Sequence, residues 1–368
     1  MKILHIDTEM SWRGGENQIR LLIENAQTPD WEWHLAAPPG SQAIERMKPF
    51  AKTLPLPMKG LAQLSAVRAI ASYVKQNHIQ VMDCQSSRAH QLGLAVKYLV
   101  PSVKLVVHRR VDYPPGQSWF NRQKYINRRI DRYIAISSAI SEILKTYGVP
   151  AAQISVVRSA VDSSPFKIYD RGQARIDVLR ELGVQGKPIV IGNVAYLTEQ
   201  KGHETLVRAL GILKKKGIRF FCFIAGDGDL KLKNEALARE LGLIADELQF
   251  LGIRKDVPRL LAASDIFALS SNDEGLGTSL LDAVHAGCTL VGTRVGGIPE
   301  IIHHNQTGLS ANARDPEGFA AELERVLCDS ELRQTLTENA KTFVETAFSL
   351  ETMVKGNLEI YARLVNEG

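Results

Sequence analysis

Short apolar runs alternate with amphipathic segments of helix length along the whole chain, the pattern of a parallel sheet covered on both faces. In the first half the runs fall at 2–7, 33–37, 79–83, 103–108, 132–136 and 154–157. In the second half they are Ile189–Val194, Phe220–Ile224, Leu248–Leu251, Ile266–Leu269 and Leu290–Thr293. Each predicts a buried strand. Between the halves, Asp162–Gly172 is polar and broken by Pro165 and Gly172, which predicts a linker. The expected architecture is two doubly wound, Rossmann-like α/β domains, 1–168 and 169–368, facing across a cleft. A chain of 368 residues has enough for two cores. From Asp315 onward the pattern is helical, with Pro316 at a first turn, and the last helix, about 350–364, is expected to pack back on the N-terminal domain. In open parallel sheets ligands bind beyond the carboxyl ends of the strands, so the chemistry should lie just after the apolar runs.

Composition narrows the class. The hydrophobic share of 45% and charged share of 23% are those of a soluble globular protein, and no run approaches the roughly 18 apolar residues of a membrane span. Met1–Asp7 lacks the basic flank, long apolar stretch and cleavage site of a signal peptide, and reads as the first strand of a cytoplasmic protein. Cys84, Cys222, Cys288 and Cys328 have no metal-ligand spacing and read as buried free thiols. Net charge is +5, unevenly spread: residues 1–170 hold 22 Lys and Arg against 13 Asp and Glu, the rest 23 against 27. The basic half favours an anionic partner.

After strand Ile266–Leu269 comes Ser270-Ser271-Asn272-Asp273-Glu274-Gly275-Leu276-Gly277-Thr278, then a helix carrying Asp282. A glycine loop that opens a helix leaves backbone N–H groups and the positive helix end free for an anion such as a diphosphate. Glu274 before the helix and Asp282 two turns into it are suited to sugar and ribose hydroxyls. The next strand leads into Gly296-Gly297-Ile298-Pro299-Glu300. Two acids separated by seven residues and followed by Gly-Gly-x-Pro-Glu resemble the signature of glycosyltransferase family 4, and the likeness extends over nearly the whole chain.

The resemblance implies the GT-B fold and retaining transfer of a sugar from a nucleotide diphosphate. It implies that Glu274 holds the donor sugar, that the amides of Gly275, Leu276, Gly277 and Thr278 hold the diphosphate, and that Asp282 binds the ribose. It also places Asn193 and Tyr196, on the strand and loop before Lys201, at the donor, Lys201 on the departing diphosphate, and Arg254 near the nucleobase. Two departures stand out: Tyr196 occupies the place of the family's Arg, and Asp282 that of its second Glu. An ammonium lacks the fork of Arg, so another contact should replace the missing one.

In the first half, Arg13-Gly14-Gly15-Glu16 opens a helix after the first strand, a second ready anion site, and the resemblance implies that Gly14 and Gly15 approach the donor phosphates. His108 ends a strand where relatives carry a His at the reaction centre, and Arg109, Arg110 and Asp112 follow; with Arg13 and Glu16 they are the acceptor-side candidates. Arg122, Lys124, Arg128, Arg129 and Arg132, interleaved with Trp119, Phe120, Tyr125 and Tyr133, suggest a basic, aromatic helix face for lipid headgroups or an anionic acceptor. With no nucleic-acid module beside it, this run gives no reason to expect a nucleic-acid partner. Retaining glycosidases place two carboxylates about 5–5.5 Å apart, one as nucleophile. No candidate nucleophile is apparent, so the family's reaction on one sugar face is expected, without metal or other cofactor. The expected acceptor is an anionic glycolipid or cell-envelope precursor, as in lipopolysaccharide biosynthesis, with the enzyme cytoplasmic and able to attach peripherally to the inner face of the membrane. A sugar-nucleotide 2-epimerase and a non-catalytic sugar-nucleotide-binding protein are the alternatives, the second motivated by Tyr196 and Asp282.

Overall fold

The computed structural model describes every residue except Arg13, Leu61, Ile244 to Asp246 and Gly368. The chain forms two units, Met1–Ala160 with Ser349–Gly368, and Val161–Phe348. The first holds seven parallel strands: β1 (Lys2–Ile6), β2 (Glu32–Ala37), β3 (Lys52–Pro55), β4 (Val81–Cys84), β5 (Lys104–Arg109), β6 (Arg132–Ala135) and β7 (Ile154–Val156), in the order β3-β2-β1-β4-β5-β6-β7. The second holds six: β8 (Val190–Val194), β9 (Phe221–Ala225), β10 (Leu248–Gly252), β11 (Ile266–Leu269), β12 (Thr289–Thr293) and β13 (Leu309–Ala311), ordered β10-β9-β8-β11-β12-β13 and again parallel. Both are doubly wound. In such sheets the crevice opens where the strand order reverses, between β1 and β4 in one unit and between β8 and β11 in the other.

The central strands are buried on both faces, which is why they read as unbroken apolar runs. Two short strands, β3 and β13, escape the sequence pattern. They lie at sheet edges, and Lys52-Thr53-Leu54-Pro55 and Leu309-Ser310-Ala311 contain no apolar run.

The unit boundary falls at 160/161, not at 168/169. The expected linker docks on the second unit instead: the Phe166 ring stacks 6.5 Å from that of His285, and Arg171 donates to the Ser264 carbonyl at 2.7 Å. The last helix, Leu350–Asn366, belongs to the first unit, where Met353, Val354, Tyr361 and Leu364 join a core with Ile19, Leu22 and Trp33. Three cysteines are buried; Cys328, ending the helix Pro316–Cys328, is exposed.

Candidate active site

In the second unit the reversal point is built from two loops tied by backbone bonds. The loop after β8 ends in a tight turn, Glu199–Lys201, and the loop after β11 is Ser270–Gly277. Asn272 donates to the Gln200 carbonyl from its backbone N–H and to the Glu199 carbonyl from its side chain, both at 2.7 Å. Gly202, at φ +59°, lets the chain leave this turn where a Cβ would sit 2.1 Å from the Ser270 carbonyl oxygen. The tie brings the Lys201 Nζ to 2.5 Å from the Glu274 carboxylate, which also accepts from the Ser271 hydroxyl at 3.1 Å. Glu274 is buried.

The Gly-Gly-x-Pro-Glu turn braces this acid. Gly297 donates its N–H to the Glu274 carbonyl at 2.9 Å, and a Cβ on it would lie 2.5 Å from the Gly275 carbonyl oxygen. Beyond the acid, Gly277, at φ +87°, starts the helix Thr278–His285 with no side chain capping it. Among the described residues the N–H groups of Gly275, Leu276, Gly277 and Thr278 have no protein acceptor. The result is a row of open amides at a positive helix end, beside one ammonium. The Leu276 side chain lies in the core, so only its backbone faces the row.

The other donor-side candidates are placed unequally. Asp282 is half-buried, its carboxyl has no hydrogen bond among the described residues, and burial pushes its pKa up to about 7. Tyr196 is 59% exposed. Asn193 is corrected: fully buried, it donates to the Ala268 carbonyl at 2.7 Å and meets the His203 Nε2 at 3.1 Å, so it joins β8 to β11 and cannot touch a ligand. Arg254 is held by Glu181 and Asp256, each at 2.8 Å, which occupies its fork and leaves only its flat face for a base.

In the first unit His108 is buried at the end of β5, its Nδ1 2.8 Å from the Asp83 carboxylate. Asp83 also accepts from the Tyr361 hydroxyl. Arg110 donates to the Gln85 side-chain oxygen at 2.8 Å. A cavity of about 460 Å³ opens here, lined by His108, Arg110, Ser86, Tyr113 and Asn121. Gly14 and Gly15 begin the helix Gly14–Asn25, with Glu16 buried in its first turn. That carboxylate, after burial itself, helps push Asp7 up to about 7. Asp112 is half-buried, and Arg13 lies outside the described residues.

Two basic candidates are buried rather than exposed. Arg109 is buried, donating to the Tyr125 hydroxyl at 2.9 Å and to the Tyr113 carbonyl, so it holds the loop after β5 while lining the cavity beside His108. Lys124 is buried too, donating to the Ser87 carbonyl at 2.7 Å; burial lowers its pKa to about 8. The helix in this stretch is short, Trp119–Tyr125, so Arg128, Arg129 and Arg132 lie beyond it, the last in strand β6. Its exposed part is Trp119, Phe120 and Arg122, with Arg128 and Arg129 beyond.

Two family models match the chain in succession, glycosyltransferase family 4 over residues 12–164 and glycosyl transferases group 1 over residues 175–343. The chain belongs to the GT-B glycosyltransferases. It is 27% identical over 293 residues to the glycosyltransferase MJ1607 of Methanocaldococcus jannaschii, covering 76% of this chain and 74% of that one. To the lipopolysaccharide core biosynthesis glycosyltransferase LpsE of Rhizobium meliloti it is 28% identical over 266 residues, 72% of each chain. Its fold matches the crystal structure of HepE from Anabaena in complex with UDP, with a TM-score of 0.86, 20% identity, and coverage of 99% of this chain and 100% of that one. In this glycosyltransferase, sequence reasoning missed Ser271, Gln85, Asp83 and Tyr361. Asp83 did carry a signal, an acid inside the apolar strand Val81–Cys84.

Proposed function

We propose that this glycosyltransferase takes a sugar from a uridine diphosphate sugar and transfers it, with retention and without a metal, to an anionic glycolipid or cell-envelope glycan precursor. The observation that carries the reading is the Lys201–Glu274 pair beside the open amides of Gly275–Thr278. A leaving diphosphate gains negative charge as the glycosidic bond breaks, and preorganised N–H groups and an ammonium stabilise that charge more in the transition state than in the ground state. Glu274 accepts from a sugar hydroxyl, Asp282 from a ribose hydroxyl, and His108 offers its Nε2 to the reacting sugar. The acceptor oxygen bonds to the anomeric carbon on the face the diphosphate leaves, and its proton passes to the departing phosphate oxygen. Uridine is favoured by the UDP complex of HepE, and an envelope acceptor by the name of LpsE.

No described helix is long and apolar enough to cross a membrane. Exposed Trp119, Phe120, Arg122, Arg128 and Arg129 supply the surface through which the enzyme reaches a lipid-borne acceptor. The test is incubation with radiolabelled UDP-glucose, UDP-galactose and UDP-N-acetylglucosamine, with and without EDTA, alongside a thermal-shift series with UDP, GDP and ADP. UDP release that survives EDTA, an α-linked product and selective stabilisation by UDP support the reading. A β-linked product, activity lost to EDTA and restored by Mg²⁺, or stabilisation by GDP or ADP alone would each overturn its part.

A further inference from the structure

Asp83 is fully buried at the carboxyl end of β4. A buried carboxylate stays ionised only when its oxygens are hydrogen-bonded. Burial pushes its pKa up, and His108, His5 and Tyr361 together outweigh burial and hold it below the ordinary value. One oxygen, Oδ1, takes the Nδ1 proton of His108 at 2.8 Å. The other, Oδ2, takes the phenol proton of Tyr361, which arrives from the last helix 278 residues further along the chain.

His5 is the competitor for that second oxygen, with its Nδ1 3.6 Å away, beyond hydrogen-bond reach. Gln85 keeps it from competing. Arg110 holds the Gln85 oxygen at 2.8 Å, which turns the Gln85 NH₂ toward the Nδ1 atoms of His5 and His108, each at 3.2 Å; the His108 nitrogen lies closer to the Asp83 carboxylate, at 2.8 Å, and keeps its proton for it, so the His5 nitrogen is the one that accepts. Tyr361 is itself fully buried, its ring 6.5 Å from His5 and 6.4 Å from Trp31. A buried phenol needs a partner, and among the described residues Asp83 is the one it has. With both carboxylate oxygens assigned, the His108 proton sits on Nδ1. Its Nε2 has no partner among the described residues, and His108 lines the 460 Å³ cavity.

We propose that Tyr361 is a positioning residue for sugar transfer: by donating to Asp83 it fixes the orientation and tautomer of His108. The proposal rests on the reading of His108 as the group that meets the reacting sugar. A third group that orients a histidine through a carboxylate acts on catalysis without touching substrate.

The test is Tyr361→Phe, which keeps the ring and removes one oxygen, with ¹⁵N spectra of the imidazoles and UDP-glucose turnover read as UDP release. Wild-type His108 should show a protonated Nδ1 and a bare Nε2. In the variant its resonances should move toward a mixture of tautomers. Turnover should fall roughly tenfold, as for loss of one charge-assisted hydrogen bond, with KM within about twofold. Asp83→Asn, which can turn an NH₂ toward His108, should invert the tautomer and lose more, on the order of 10²-fold or beyond. A folded Tyr361→Phe protein with wild-type His108 resonances and turnover would overturn the proposal. Wild-type turnover in His108→Ala would instead overturn the reading of His108 and the positioning role with it. That failure is recognisable because the Tyr361→Phe resonance change does not depend on turnover.

Discussion

Lys201 and Glu274 neutralise each other in the protein itself, and the proposed function asks each to do something else when donor binds, the lysine to meet phosphate and the carboxylate to meet sugar. Lys201→Ala should lower turnover about 10²–10³-fold, the cost of one preorganised donor. It should also lower stability by roughly 1–3 kcal/mol, because Glu274 keeps its buried place without its counter-ion. Adding Glu274→Gln should restore stability to urea while activity stays lost; a double variant no more stable than the single one would show that the pair shares little energy. Asp282 gives a pH signature. Its folded pKa of about 7 lies above the ordinary value of 3.8, so the folded state binds the extra proton and stability falls as pH rises between those values. Asp7, also raised to about 7, adds a slope of the same sign. Asp282→Asn should remove its share of that slope. If the carboxylate holds ribose, UDP should bind more tightly as pH rises from about 6 to 8 in the wild type, with no such rise in Asp282→Asn, measured by calorimetry.

Glycines separate elements that need them for their own geometry from those that leave room for something else. A Cβ on Gly297 would strike the backbone of Gly275 and Leu276, so Gly297→Ala must displace the amide row and should lower both melting temperature and UDP affinity. Among the described residues, and leaving aside its own chain neighbours and helix backbone, a Cβ on Gly14 would meet nothing within 4 Å. Gly14→Ala should therefore leave the melting temperature unchanged or slightly raised, by up to about 1 kcal/mol of stability, and weaken transfer only if substrate approaches that helix start. Unchanged kinetics would remove Gly14 from the donor site. This contrast also marks what was legible in the sequence. The strands around both reversal points, the Glu274 loop and the turn that braces it are local features whose residues adjoin in sequence. Asn193 and Lys124 were misplaced because a polar residue beside a motif looks the same whether it faces a ligand or a neighbouring carbonyl. Tyr361 was invisible for another reason: its partner lies 278 residues away, and no spacing rule spans that distance.

For the molecule as a whole, the front of the chain is the basic part, and its exposed cations are fewer than the sequence suggests because Arg109 and Lys124 are buried. Trp119, 66% exposed, and Phe120, 77% exposed, stand beside Arg122 on one short helix. Each basic residue near an anionic bilayer contributes about 1 kcal/mol, so Arg122, Arg128 and Arg129 with two aromatic rings predict weak, reversible binding. Co-sedimentation with vesicles containing phosphatidylglycerol should show binding at low salt that falls at high salt. Changing the three arginines to Ser should abolish it, whereas binding indifferent to both would point to the rings alone. The return of the last helix to the first unit has a consequence in time. A ribosome makes residues 1–160 first, then the whole of the second unit, and only then the helix that finishes the first. At ~5–20 residues per second the wait is on the order of ten to forty seconds, during which Asp83 lacks the Tyr361 hydroxyl and the core around Ile19 and Trp33 lacks one wall. The nascent chain thus carries an uncovered apolar surface for as long as the second unit takes to make, a natural point for a chaperone to hold it.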